Sequence, residues 1–186
     1  MLALADLARE IGADTRTMRR AVTDGTIRCE RSSPRRQNVD EDEYRYAIAH
    51  WPLLAKLREL LRTEPNVRLA VLYGSTATGV DTSSSDVDLL VSLARDRSEA
   101  AVQLATRLER RLGRDVDVAR LNRVRDSAAL LLLQAIDEGR VLLDRDGLWA
   151  TLQAERAEIE RQAHREYEAQ RLRARISVDE LLATLA

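Results

Sequence analysis

At Val67 the hydrophobic pattern of the chain changes from helical to strand-like, and the residues from there to Asp117 limit the folds open to it. Val67-Arg68-Leu69-Ala70-Val71-Leu72-Tyr73 is a short apolar run with one charge, and it ends in Gly74-Ser75. A run of this length closed by glycine predicts a buried strand rather than a helix. Ten residues separate Ser75 from Asp86-Val87-Asp88-Leu89-Leu90-Val91, which predicts a second strand over Asp86 to Ser92. Residues two apart on a strand share a face, so Asp86 and Asp88 point the same way. Two carboxylates at the start of a buried strand repel each other unless something cationic lies between them.

That arrangement has a specific chemistry. Mg²⁺ takes an octahedral shell of oxygens and is usually held by one or two carboxylates together with substrate phosphates. Asp86 and Asp88 supply such carboxylates. A Gly-Ser pair at the end of the preceding strand can hold a phosphate through backbone N–H groups and a hydroxyl. Ser85, just before the first aspartate, is either a further phosphate contact or a turn residue. A third carboxylate comes from Asp115-Val116-Asp117-Val118, predicted as a third strand over Asp115 to Ala119. Asp115 and Asp117 share a face there, so either could serve.

Other elements surround this centre on both sides. Leu2 to about Ile11 places Leu4, Leu7, Ala8 and Ile11 at helical spacing, and Gly12 interrupts it. Asp14 or Thr15 caps a second helix to about Thr23, which Gly25 ends. Thr26 to Arg31 and Arg35 to Val39 read as two strands around Ser32-Ser33-Pro34. Helix, turn, helix, hairpin is the order of a winged helix-turn-helix. Asp40 with Glu43 predicts a capping box, and Pro52 is expected to break the following helix and restart it. Beyond the second strand, Ser98 to Leu112 predicts a helix, Val124 to Glu138 another and Arg140 to Leu143 a fourth strand. An Arg- and Glu-rich helix then starts at Gly147, and Ser177 with Glu180 caps a last short one.

Composition narrows the class. The chain has 186 residues, 45% hydrophobic and 33% charged, a net charge of −1 and one cysteine, Cys29. An intrachain disulfide and a thiolate zinc cluster are excluded, no run approaches a membrane span and no signal peptide is expected. These features fit a reducing cytoplasm. Charge is unevenly placed, however: seven arginines (16, 19, 20, 28, 31, 35 and 36) face Asp24 and Glu30 between Arg16 and Arg36, a local excess of +5. His50 and His164 read as surface or helix-packing residues, and Trp51, Tyr73 and Trp149 as core anchors. The expected organisation is a DNA-binding module over 1–45, connecting helices over 46–65, a catalytic domain over 66–146 and C-terminal helices over 147–186.

The Gly74-Ser75-Thr76-Ala77-Thr78-Gly79 segment, followed by Ser84-Ser85-Asp86-Val87-Asp88, resembles the minimal nucleotidyltransferases of the polymerase-beta superfamily. Asp117 falls where that family has its third-strand carboxylate. The resemblance implies an α/β (α+β) fold with a mixed sheet flanked by helices, and Mg²⁺-dependent transfer of AMP from ATP. Asp86, Asp88 and Asp117 would act as catalytic residues and ligands of two metal ions, and Gly74, Ser75 and Ser85 as nucleotide contacts. Many relatives carry an arginine shortly after Gly-Ser, where this chain has Thr76 and Thr78. The N-terminal pattern Leu4-Ala5-Asp6-Leu7-Ala8-Arg9-Glu10-Ile11-Gly12 looks like MerR- or excisionase-type domains. It implies duplex DNA contacts from Arg16, Thr17, Arg19 and Arg20 on a recognition helix and from Arg35 and Arg36 on a wing, presented by a dimer. Bacterial proteins of similar design are antitoxins that modify a tyrosine of a HEPN-type toxin. The alternatives are a regulator whose transferase domain only senses nucleotide or is inactive, and an antibiotic-modifying enzyme, which the DNA-binding module disfavours.

Overall fold

The computed structural model describes residues 2–33 and 36–185, with the backbone alone for residues 30–33, 36, 172 and 174–185. The chain begins with a short strand β1 (Leu2–Ala3), helices α1 (Leu4–Glu10) and α2 (Thr15–Asp24), and strands β2 (Glu30–Ser33) and β3 (Arg36–Val39). Helix α3 (Glu41–Arg62) then leads into β4 (Val67–Tyr73), α4 (Gly74–Thr78), β5 (Val87–Leu93), α5 (Ser98–Leu112) and β6 (Val116–Arg120). The remainder is α6 (Leu121–Ser127), α7 (Ala129–Glu138), β7 (Arg140–Asp144), α8 (Leu148–Ala154) and α9 (Arg156–Leu185).

Four strands form the central sheet in the order β6-β5-β4-β7, parallel between β5 and β6 and antiparallel elsewhere. This is the expected mixed sheet, and helices cover both of its faces. Strand alternation sorts the side chains: Val67, Ala70 and Leu72 join one cluster with α3 and α5, whereas Leu69, Val71 and Tyr73 join another with α6, α7 and α9. Asp88 is two residues from Leu90, which belongs to the second cluster, so its side chain stands on that face.

The first forty residues share the α3 cluster. Leu4, Leu7, Met18, Ala21 and Ile27 are buried in one continuous core with Leu54, Leu57 and Leu61. They also seal the outer edge of β7, which would otherwise leave a row of unpaired backbone groups: Val141 N–H donates to Gly25 O at 3.2 Å, and the Thr26 hydroxyl donates to Val141 O at 2.5 Å.

Several local expectations are corrected. Leu2 and Ala3 pair with Val39 and Asn38, so the hairpin is a three-stranded sheet and α1 starts at Leu4. The first hairpin strand begins at Glu30 rather than Thr26, because the Thr26 hydroxyl and the Arg28 amide bond to β7 and α3 instead. Helix α3 runs unbroken through Pro52. A proline inside a helix costs about 3 kcal/mol, but each fully buried leucine contributes roughly 1.5–3 kcal/mol. Leu54, Leu57 and Leu61 lie on the buried face of α3, while Pro52 is on its exposed side. Asp40 does cap α3 by accepting from Glu43 N at 2.7 Å, yet the Glu43 carboxylate does not return the bond. The helix expected over Val124 to Glu138 breaks at Ala128, where Glu166 of α9 accepts from Ala129 N at 2.9 Å. The C-terminal helix is split at Glu155 and then continues through Ser177 and Glu180 without a new start.

Candidate active site

The register of the sheet assembles the site. Tyr73 at the end of β4 pairs with Asp88 on β5, and Asp88 pairs in turn with Asp117 on β6. Three strands thus place Tyr73, Asp88 and Asp117 in one row on one face. Asp86 precedes Asp88 by two residues and lies at the same end of the sheet. Asp115 is one step further out, where its carbonyl accepts from Val87 N at 2.9 Å. Register therefore sets Asp117, not Asp115, opposite Asp88.

The Gly74 turn closes against this row. Gly74 has φ +71°, and a Cβ there would fall on the Asp88 carboxylate, well inside van der Waals contact. Only glycine meets both demands. The chain then enters α4 at once rather than an extended loop. No side chain caps α4, so its first N–H groups are available to an anion.

Charge at the site is uncompensated. Burial and the neighbouring charges of Asp117 and Asp86 all push the Asp88 carboxyl above its usual value, and no cation among the described residues offsets them. Burial, reinforced by Asp88 and Asp117, raises Tyr73 to about 12. Among the described residues no group of three or more His, Cys, Asp or Glu side chains is placed to hold a metal ion. Mg²⁺ usually takes only one or two carboxylates and fills its shell with substrate phosphates, so Asp86 and Asp88 are the carboxylates that could hold it.

The other expected contacts divide. Ser75 is half-buried at the first turn of α4. The Ser85 hydroxyl accepts from Thr82 N at 2.9 Å, and its carbonyl accepts from Arg114 at 2.6 Å, so Ser85 shapes the loop leading to Asp86. Of the two threonines that follow Gly-Ser, Thr76 is fully buried, its hydroxyl donating to Asp86 O at 3.2 Å and leaving no room for a guanidinium, whereas Thr78 is exposed. Arg114 instead brings a positive charge to the flank, beside a cavity of about 360 Å³ lined in part by Ser83, Ser84 and Asp115.

In the N-terminal region Arg16, Arg19 and Arg20 lie on the exposed side of α2. Thr17 is committed to the cap, its hydroxyl and amide both donating to Asp14. Arg28 is exposed, and its guanidinium donates to Glu138 O. Arg35 lies outside the described residues, and for Arg36 only its place in β3 is described.

Sequence reasoning missed the side chains behind the site. Asp81 is almost wholly buried, accepting from Arg114 at 3.2 Å and pairing with His50 Nε2 at 2.8 Å. His50 stacks on Tyr46 with ring centroids 4.3 Å apart. Arg140 lies over the other side of that ring at 3.4 Å and is only 2% exposed. His50 is thus a packing residue, as expected, but one built into the wall of the active loop. The nearest sequence signal was Asp81 in an otherwise small, polar loop.

A Gly-Ser turn facing paired carboxylates on a mixed, helix-flanked sheet defines a nucleotidyltransferase. Residues 55–147 match the family described as Polymerase beta, Nucleotidyltransferase. The chain belongs to that family. Among curated proteins none matches this chain in sequence. Of solved structures, it is similar to a toxin–antitoxin complex with AMP-PNP, at 23% identity over 69% of this chain and 98% of that one, TM-score 0.50. It is also similar to a tri-AMPylated Shewanella oneidensis HEPN toxin in complex with MNT antitoxin, at 22% identity over 72% and 98%, TM-score 0.45. A third, the toxin–antitoxin MntA–HepT, gives 22% identity over 71% and 98%, TM-score 0.44. At 23% identity the likeness to the AMP-PNP complex is one of fold.

Proposed function

We propose that this nucleotidyltransferase transfers AMP from ATP to a hydroxyl of a partner HEPN-type toxin, and that its N-terminal module binds operator DNA. One observation carries the transfer reading: Asp88 and Asp117 stand level on adjacent strands, with Asp86 beside them and the Gly74 turn against Asp88. Asp86 and Asp88 would hold Mg²⁺, with Asp117 available to a second ion. When bound, the metal neutralises charge on the phosphates and on the oxygens that attack and leave.

Gly74 and Ser75 grip the triphosphate through the uncapped start of α4. Where Asp117 does not hold a second ion, it takes the proton from the acceptor hydroxyl. The acceptor oxygen forms a bond to the α-phosphorus, the bond from that phosphorus to the bridging oxygen breaks, and pyrophosphate carries the electron pair away. The acceptor assignment follows the sequence resemblance and the toxin–antitoxin neighbour with AMP-PNP. The reading places the protein in the cytoplasm, with Mg²⁺, ATP and a protein acceptor.

DNA binding is supported by the exposed arginines of α2 and their local charge excess. The regulator alternative, in which transfer is absent, is separated by one experiment. The protein is incubated with labelled ATP, Mg²⁺ and the HEPN-type product of a neighbouring gene, and operator binding is measured in parallel. Label on the toxin is the expected result. Intact operator binding without any label transfer would establish the regulator instead. Replacing Arg19 and Arg20 with alanine should weaken DNA binding and flatten its salt dependence, with transfer unaffected.

A further inference from the structure

Helix α4 has five residues and cannot hold its own shape, since helix nucleation is unfavourable and short helices need outside support. Part of its backbone is satisfied internally: Gly79 N–H donates to Ser75 O at 2.9 Å, and the Thr78 hydroxyl reaches Ser75 O at 3.1 Å. The carbonyls of Thr76 and Ala77 are held from outside. The Tyr46 hydroxyl donates to Thr76 O at 3.0 Å, and Arg140 Nε donates to Ala77 O at 2.7 Å. Neither donor belongs to the loop; Tyr46 is on α3 and Arg140 opens β7.

The two donors are themselves fixed. Arg140 Cζ lies over the Tyr46 ring at 3.4 Å from its centroid, and His50 stacks on that ring with an interplanar angle of 10°. His50 extends the support to Asp81 at 2.8 Å, and Asp81 accepts from Arg114, which also donates to Ser85 O. The return path runs inside the loop, from the Thr76 hydroxyl to Asp86 O. The fit is close: a Cβ on Gly79 would lie 2.9 Å from Tyr46 Cδ2. Both ends of the segment from Gly74 to Asp86 are therefore set against one stack of side chains.

We propose that Tyr46 and Arg140, backed by His50 and Asp81, are positioning residues that hold the triphosphate loop in its binding geometry. The proposal rests on the nucleotide-transfer reading above. Tyr46 acts through the Thr76 carbonyl, one residue beyond Ser75, and touches no substrate itself. Its hydroxyl is the part that can be removed alone, because the ring contacts survive in phenylalanine.

The test compares Tyr46→Phe with Tyr44→Phe. Tyr44 is on the same helix, and its hydroxyl bonds to Glu10 at the exposed surface, away from the loop. Affinity for a fluorescent ATP analogue with Mg²⁺ is measured alongside melting temperature and amide exchange over residues 76–80. Tyr46→Phe is expected to weaken the affinity about fivefold, the scale of one buried hydrogen bond, and to speed exchange in the loop. KM for ATP should rise by a similar factor. Tyr44→Phe should leave affinity, KM and loop exchange unchanged. Wild-type protein that binds no Mg²⁺–ATP overturns the transfer reading and this proposal with it. Wild-type protein that binds, with Tyr46→Phe indistinguishable from it in affinity and exchange, overturns the proposal alone.

Discussion

Asp88→Asn is expected to lower nucleotidyl transfer by about 10²–10³-fold or more, the scale on which one preorganised electrostatic group counts, while raising the melting temperature of the metal-free protein at neutral pH. Both effects have one cause. The folded protein lifts the Asp88 carboxyl above 3.8 through burial and the charges of Asp117 and Asp86. Below that pH the group is protonated whether folded or unfolded, and its charge costs nothing. As pH rises past 3.8 the unfolded chain releases the proton first, so folding becomes less favourable. The deficit is complete once pH exceeds the folded value. Asparagine has the same shape and no charge, so its thermal gain should be present at pH 7 and vanish in acid. Adding Mg²⁺ with a non-hydrolysable ATP analogue should reverse the order by stabilising the wild type. Asp86→Asn should lower transfer on the same scale. Full transfer activity in both variants would sink the assignment of these carboxylates.

Asp88 was legible because strand parity is a local rule, and the apolar residues on either side of it fix which face is buried; Asp86 lies one residue before β5, where that rule does not reach. The Gly74-Ser75 turn was legible for the same reason, as an abrupt end to an apolar run. Asp117 needed one more step: parity left it tied with Asp115, and only the β5–β6 register separates them. Pairings over long sequence distances left no trace. Glu43 read as the second half of a capping box, yet its carboxylate is taken by Arg140, 97 residues away. The break at Ala128 depends on Glu166, a residue in the middle of what reads as a solvated helix. The short pairing of Leu2 and Ala3 with β3 lacks the length that makes a strand visible. Arg140 read only as the first residue of the fourth strand, and nothing in its local sequence marks it as buried.

That buried arginine carries the largest expected effect on stability. Arg140 donates to both carboxylate oxygens of Glu43, at 2.5 and 2.8 Å, and also to Ala77 O and Thr26 O. Glu43 is 5% exposed and additionally accepts from Arg28 N at 2.9 Å. One ion pair thus joins α3, the residues before the hairpin, the end of α4 and β7. Removing one partner of a buried pair strands the other charge and costs about 3–5 kcal/mol. For a chain of this size each kcal/mol lowers the melting temperature by roughly 2–4 °C, so Arg140→Ala should fall by about 6–20 °C. Glu43→Ala should fall comparably, since it strands the guanidinium instead. If the pair is the cause, Glu43→Leu combined with Arg140→Met removes both charges, refills the volume and recovers much of the loss. Recovery should stop short of wild type, because the carbonyls of Ala77 and Thr26 still lack a donor, at about 1–3 kcal/mol for a buried group left unsatisfied. A double variant no better than the worse single would mean that the carbonyl contacts, not the ion pair, hold these elements together. An Arg140→Ala variant within about 1 kcal/mol of wild type would mean that neither does.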